Sequence, residues 1–99
     1  MKIQIQAIQF TADQKLVNFI ERKLQKLEQF FDRIIDAEVY LSLDSRASHI
    51  KDKVVKIKVN VPGSQVIATE SSKIFEEAVD MSVHSLKRQI KRYKDKVRG

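Results

Sequence analysis

Three stretches of this chain place apolar residues at every second position and leave the intervening positions polar. Ile3 and Ile5 alternate with Gln4 and Gln6. Ala37, Val39, Leu41 and Leu43 alternate with Glu38, Tyr40, Ser42 and Asp44. Val55, Ile57, Val59 and Val61 alternate with Lys56, Lys58 and Asn60. Side chains on a strand point to opposite faces in turn, so each run predicts a strand with one wet face. Pro62-Gly63-Ser64 is a turn signal, and Gln65 to Thr69 beyond it makes a fourth strand of a hairpin. A sheet that is apolar on one side only needs cover on that side only.

That cover comes from two helical stretches. Between Asp13 and Phe31 the apolar residues Leu16, Val17, Ile20, Leu24, Leu27 and Phe31 share one face at about 100° per residue. Thr11 reads as the N-cap, with Gln14 completing a capping box. Near the other end, Phe75, Val79, Val83, Leu86, Ile90, Tyr93 and Val97 recur every three or four residues, and Ser71 or Ser72 reads as the cap. The predicted fold is α+β: a two-layer sandwich in the order β-α-β-β-β-α, with a four-stranded sheet and two helices on one face. At 99 residues it forms a single domain, residues 1–99. Asp44 to Asp52 is polar and reads as a loop.

Composition closes several routes to function. There are no cysteines, which excludes disulfides, thiol nucleophiles and cysteine-ligated metal centres. Two glycines, Gly63 and Gly99, cannot build a glycine-rich phosphate cradle. No unbroken apolar stretch exceeds three residues, as at Val66–Ala68, so no membrane span is expected. The start of the chain lacks the hydrophobic block of a signal peptide, and the expected location is the cytoplasm.

The charge is concentrated. The chain carries 19 Lys and Arg against 13 Asp and Glu, a net +6. From Lys87 to Gly99 seven bases face the single acid Asp95, so this segment holds the whole net charge. Basic residues at a helix end complement the macrodipole, but seven exceed what that requires. A compact cation on a neutral body points to a localised anionic partner. On the second helix Lys87, Lys91 and Lys94 flank one side of the apolar stripe and Lys96 the other, with Arg88 and Arg92 further round. Nearly the whole polar arc is cationic, which suits a helix walled by nucleic acid on several sides. Arg88 and Arg92 are one turn apart and can each fork onto a phosphate. On the first helix Lys15, Arg22, Lys23 and Lys26 lie to one side of the stripe with Phe19 and Phe30, and Glu21 and Glu28 to the other. The phenylalanines are expected to pack under a neighbouring strand and the lysines to meet a partner.

Two motifs resemble a known family. Lys26-Leu27-Glu28-Gln29-Phe30-Phe31-Asp32-Arg33-Ile34 is similar to the helix-end signature of the ribosome hibernation-promoting factor and ribosome-associated inhibitor family, also called sigma-54 modulation proteins. Ala78-Val79-Asp80 and Leu86 to Lys96 resemble its second-helix pattern. The resemblance covers essentially the whole chain. It implies a layout related to double-stranded RNA-binding domains, and a stationary-phase or stress factor that binds the small ribosomal subunit between head and body. There it would occupy the path of mRNA and of the A- and P-site tRNAs. Family contacts to small-subunit rRNA, carried over, fall on Lys23, Lys26, Arg88, Arg92, Lys94 and Lys96. Lys87 and Lys91 join them from the charge argument. Ser85 stands where relatives often have lysine. With the chain ending at Gly99, the short promoting form is the expected match rather than the long form with a dimerisation domain.

Other classes fare worse. A generic duplex-RNA module would share the basic helix but show no preference for ribosomes. A membrane-surface helix is disfavoured by the absence of tryptophan and because the apolar stripe is needed to cover the sheet. His84 near Asp80 and Glu77 could suggest acid–base or metal chemistry, but ordinary pairing along a helix accounts for it. No enzymatic activity, catalytic residue, metal, cofactor or small-molecule substrate is expected. His49 has no visible partner, and the wet sheet face around Glu38 and Tyr40 is the candidate surface for weak self-association.

Overall fold

A computed structural model describes residues 1–44 and 52–98. His49 and the 45–51 part of the expected loop lie outside the described residues. The elements are β1 (Lys2–Ala7), α1 (Gln14–Phe30), β2 (Asp36–Asp44), β3 (Asp52–Val61), β4 (Ser64–Ser72) and α2 (Phe75–Arg98). This is the β-α-β-β-β-α order the periodicities predict. The sheet order is β1-β2-β3-β4. β1 runs parallel to β2, in register from Lys2 opposite Asp36 to Ala7 opposite Leu41. A parallel pair needs a long crossover, and α1 supplies it. The other two pairs are antiparallel, with Ile57 at the centre opposite both Val39 and Ala68.

The β3–β4 hairpin turns on Pro62 and Gly63, with Val61 opposite Ser64. Proline cannot take a positive φ, so the left-handed residue must be the second, and Gly63 has φ 72°.

The core lies between the sheet and the helices. Leu16, Ile20, Leu24 and Leu27 of α1 and Ala78, Val79, Val83, Leu86 and Ile90 of α2 are buried against Ala37, Val39, Leu41, Val55, Ile57, Val59 and Val61. Ser82 is also fully buried on this face, its hydroxyl donating to the Ala78 carbonyl one turn back at 2.8 Å. The apolar stripe read from sequence missed Ala78 and Ser82 because neither is large.

Several local expectations are corrected. Thr11 does not cap α1. Asp13 is the N-cap, and its carboxylate accepts the Leu16 N–H at 2.8 Å. Gln14 donates instead to the Asn18 side chain. Ser71 and Ser72 do not cap α2; they are the last residues of β4, opposite Val54 and Lys53. The first α2 bond beyond the helix runs from Ala78 N–H to the Ile74 carbonyl. Pairing with β3 carries β4 beyond the Thr69 boundary. Leu43 and Val97 sit on the predicted stripes yet are 38% and 58% exposed. Both lie past the reach of the opposing layer. Tyr93 donates its hydroxyl to the Pro62 carbonyl at the hairpin turn, and α2 continues beyond it with no sheet beneath.

Candidate nucleic-acid interface

The helices pack side by side and point the same way. Lys23 in mid α1 meets Asp80 early in α2, with 2.9 Å between ammonium and carboxylate. Further along, Phe31 at the end of α1 meets Tyr93 late in α2, their rings edge to face at 5.8 Å. Parallel packing makes α1 one wall of a groove and α2 the other. Lys23, Lys26, Asp80, Val83, His84 and Lys87 line it.

Helical spacing extends this wall. Residues three and four apart share a helix face, so Asp80, His84, Lys87, Lys91 and Lys94 form one row toward α1. At its end Lys94 stands over two rings, its ammonium 4.9 Å from the Phe30 centroid and 5.8 Å from that of Phe31. Such an exposed cation–π contact is worth about 0.5–1 kcal/mol. Arg88, Arg92 and Lys96, each four residues apart, make a second row that turns round the outer face of the helix, so that Lys96 comes nearest the flank toward β4. Gln89 marks that flank by donating its side-chain amide to the Ile67 carbonyl at 2.8 Å.

The eight sequence-predicted residues are therefore not one patch. Lys23, Lys26, Lys87, Lys91 and Lys94 belong to the groove, and Arg88, Arg92 and Lys96 to the outer flank. Among the described residues, Lys26, Lys87, Arg88, Lys91, Arg92 and Lys96 make no ion pair, and all six are exposed. Lys23 differs: Asp80 neutralises it, and its ammonium also lies 5.3 Å from the Phe19 ring. The two acids of the first α2 turn, Glu76 and Glu77, stand at the favourable end of the helix dipole.

The aromatics divide as well. Phe19 is half-buried against the core. Phe30 does not pack under a strand; it is 39% exposed at the last position of α1. Sequence reasoning also passed over Arg33, which lines a cleft with Phe31, Tyr93, Lys94 and Val97. Its signal was the Phe30-Phe31-Asp32-Arg33 run that closes α1.

The wet sheet face carries a different chemistry. Tyr40 donates its hydroxyl to Glu38 at 2.8 Å, and Lys58 stands 5.6 Å above its ring. The hydrogen bond to Glu38 raises the Tyr40 phenol above its ordinary 10.0, with burial and the Glu38 charge adding to it. Among the described residues, no cluster of three His, Cys, Asp or Glu is placed to hold a metal ion, and no helix is long and apolar enough to cross a membrane.

Known proteins resemble this arrangement over nearly its full length. A family model described as Sigma 54 modulation protein / S30EA ribosomal protein matches residues 3–98. The Ribosome hibernation promoting factor of Salmonella typhimurium is 30% identical over 98 residues, covering 99% of this chain and 98% of that protein. The Ribosome hibernation promotion factor of Bacillus subtilis is 35% identical over 85 residues, covering 83% of this chain but 42% of that protein. This chain thus spans less than half the length of the Bacillus relative. Among solved structures, a ribosomal subunit interface protein from Coxiella burnetii superposes with a TM-score of 0.84 at 25% identity, covering 96% of this chain and 99% of that one. The Protein Y N-terminal domain of Thermus thermophilus gives 0.80 at 26% identity, covering 94% and 99%.

Proposed function

Since the chain belongs to the sigma 54 modulation protein / S30EA ribosomal protein family, we propose that it is a cytoplasmic ribosome hibernation factor whose one domain, residues 1–99, binds small-subunit rRNA and blocks the channel of mRNA and the A- and P-site tRNAs. The family is non-enzymatic, and the action is steric: the domain fills a space that substrates need. The single observation that carries this reading is the set of six exposed cations free of ion pairs, spread over both rows of α2 and the facing side of α1.

Lys26, Lys87 and Lys91 would take phosphates along the groove, joined by Lys94 and, once it leaves Asp80, by Lys23. Arg88, Arg92 and Lys96 would take phosphates on the opposite wall. Two rows about 100° or more apart on one helix suit a helix inserted between RNA walls, rather than one laid on a single duplex. Displacement of condensed counterions supplies most of the affinity, and shape rather than base sequence selects the site. The six cations free of ion pairs, at one phosphate each, predict a slope of roughly −4 to −5 in log K against log salt, and Lys94 and Lys23 steepen it as they join.

Co-sedimentation with ribosomes at graded salt tests the reading, beside in-vitro translation. The native protein pellets and inhibits; the Arg88→Glu/Arg92→Glu/Lys94→Glu variant does neither. Equal pelleting of the two, or full translation at saturating native protein, overturns it. Equal affinity for ribosomes and for duplex RNA of matched length would assign the generic duplex-binding role instead.

A further inference from the structure

Resting on the RNA-binding reading above, we propose that one unpaired RNA base stacks on the exposed Phe30 ring at the mouth of the cleft between the end of α1 and the last turns of α2, with Lys94 and Arg33 on its phosphate. The cleft has a volume of about 270 Å³ and is lined by Phe31, Arg33, Tyr93, Lys94 and Val97. That is below the roughly 300–1,000 Å³ of pockets for drug-sized ligands, and suits a single planar heterocycle. Phe31 and Tyr93 brace each other edge to face, so the aromatic wall is held rigidly. Phe30 does not line the cleft but adjoins it through Lys94, whose ammonium stands over both Phe30 and the lining residue Phe31; Phe30 is 39% exposed, and Val97 in the lining is 58% exposed.

Charge selects the occupant. Two of the lining residues are cations, and none of the described lining residues is acidic. An apolar protein side chain would leave both cations unmatched. A nucleotide has an aromatic face and an anion a sugar's length apart, and so satisfies both parts of the cleft. The position fits too: Lys94 ends the row that begins at Lys87, so a strand whose phosphates follow that row delivers its next base here. Lys94 now covers one face of Phe30. An ammonium–phosphate hydrogen bond is stronger than an exposed cation–π contact, so an arriving phosphate draws Lys94 away and frees the ring.

The test uses the full chain, a labelled single-stranded RNA oligomer, an abasic oligomer with the same number of phosphates, a blunt RNA duplex and adenosine monophosphate. Anisotropy titrations should show the intact strand binding tighter than the abasic one by about 5- to 150-fold, the range for one base stacked on an aromatic side chain. Phe30→Leu should erase that preference and Phe30→Trp should keep it. Neither should alter duplex affinity or the salt slope, and both should retain the native Tm. Equal binding of intact and abasic strands overturns the proposal, as does a preference that survives Phe30→Leu. Ring resonances of Phe30 and Tyr93 shifted as much by the mononucleotide as by the strand would assign a free nucleotide and overturn it also. Failure here leaves ribosome pelleting and its loss on charge reversal untouched. Failure of pelleting by the native protein would instead reject the hibernation reading.

Discussion

Lys23 and Asp80 bridge α1 and α2 through a 2.9 Å ion pair in the floor of the basic groove. The side chains are 31% and 53% exposed, so the pair contributes at most about 1 kcal/mol to stability. Its larger effect is on binding, because it masks one cation and sets an anion where phosphates are to arrive.

Asp80→Asn should therefore tighten ribosome binding. Lys23 becomes available for one more phosphate, and the salt slope steepens by roughly 0.7–0.9. Stability should change by less than about 1 kcal/mol in urea unfolding. A weaker-binding Asp80→Asn protein with a native Tm would show that the bridge serves to position Lys23 rather than to mask it.

Arg88→Gln and Lys87→Gln probe the two rows separately. Each should flatten the salt slope by roughly 0.7–0.9 and weaken binding to all RNA sequences alike. If both rows touch RNA, the double variant loses roughly twice the slope of either single one. If only the groove engages, Arg88→Gln leaves the slope unchanged.

Capping of α1 separates two neighbouring residues. Asp13→Ala removes the acceptor for the Leu16 N–H and should destabilise the protein by about 0.5–2 kcal/mol. Thr11→Ala, which removes no cap, should fall within about 0.5 kcal/mol of native. Leu24→Ala, in the sealed core, should cost about 2–5 kcal/mol. Urea denaturation reads all three.

Tyr40 gives a pH prediction. Its phenol titrates above 10.0 because its neutral form donates to Glu38 and because burial and the carboxylate disfavour the phenolate. A folded-state pKa above the unfolded one means the contribution to stability is whole below pH 10 and is lost as pH rises through the raised value. Glu38→Gln should bring the ultraviolet titration midpoint down. A Tyr93→Phe background isolates the signal, since the chain has two tyrosines. A midpoint unmoved by Glu38→Gln would remove the carboxylate as the cause.

The elements were legible in the sequence where the pattern is redundant. Val55, Ile57, Val59 and Val61 occupy the buried face of β3, as their alternation requires. The α1 stripe holds at Leu16, Ile20, Leu24, Leu27 and Phe31, while Val17 at its edge is only half-buried and outside the core. Errors fell where the signal was one residue deep. Thr11 and Asp13 are both good caps by type, and only the place where the extended backbone at Asp13 passes into the helix selects between them. Ser71 and Ser72 have the cap chemistry too, but β3 has backbone groups left to pair and draws them into β4.

What the chain determined by itself was everything a local period can specify: strands with one wet face, amphipathic helices, a single covering layer, and a cationic segment in the second helix. Burying one face is a requirement each segment meets on its own, so it is written at fixed spacing. The fate of each charge and ring was decided only on packing. Lys23 and Asp80, and Lys94 and Phe30, are far apart in the chain and meet because α1 and α2 run in parallel across one sheet, and Tyr93 meets Pro62 because α2 runs back along β4 to the hairpin turn. Coulomb and stacking energies depend on distances between such partners, and no spacing within a single segment encodes those distances.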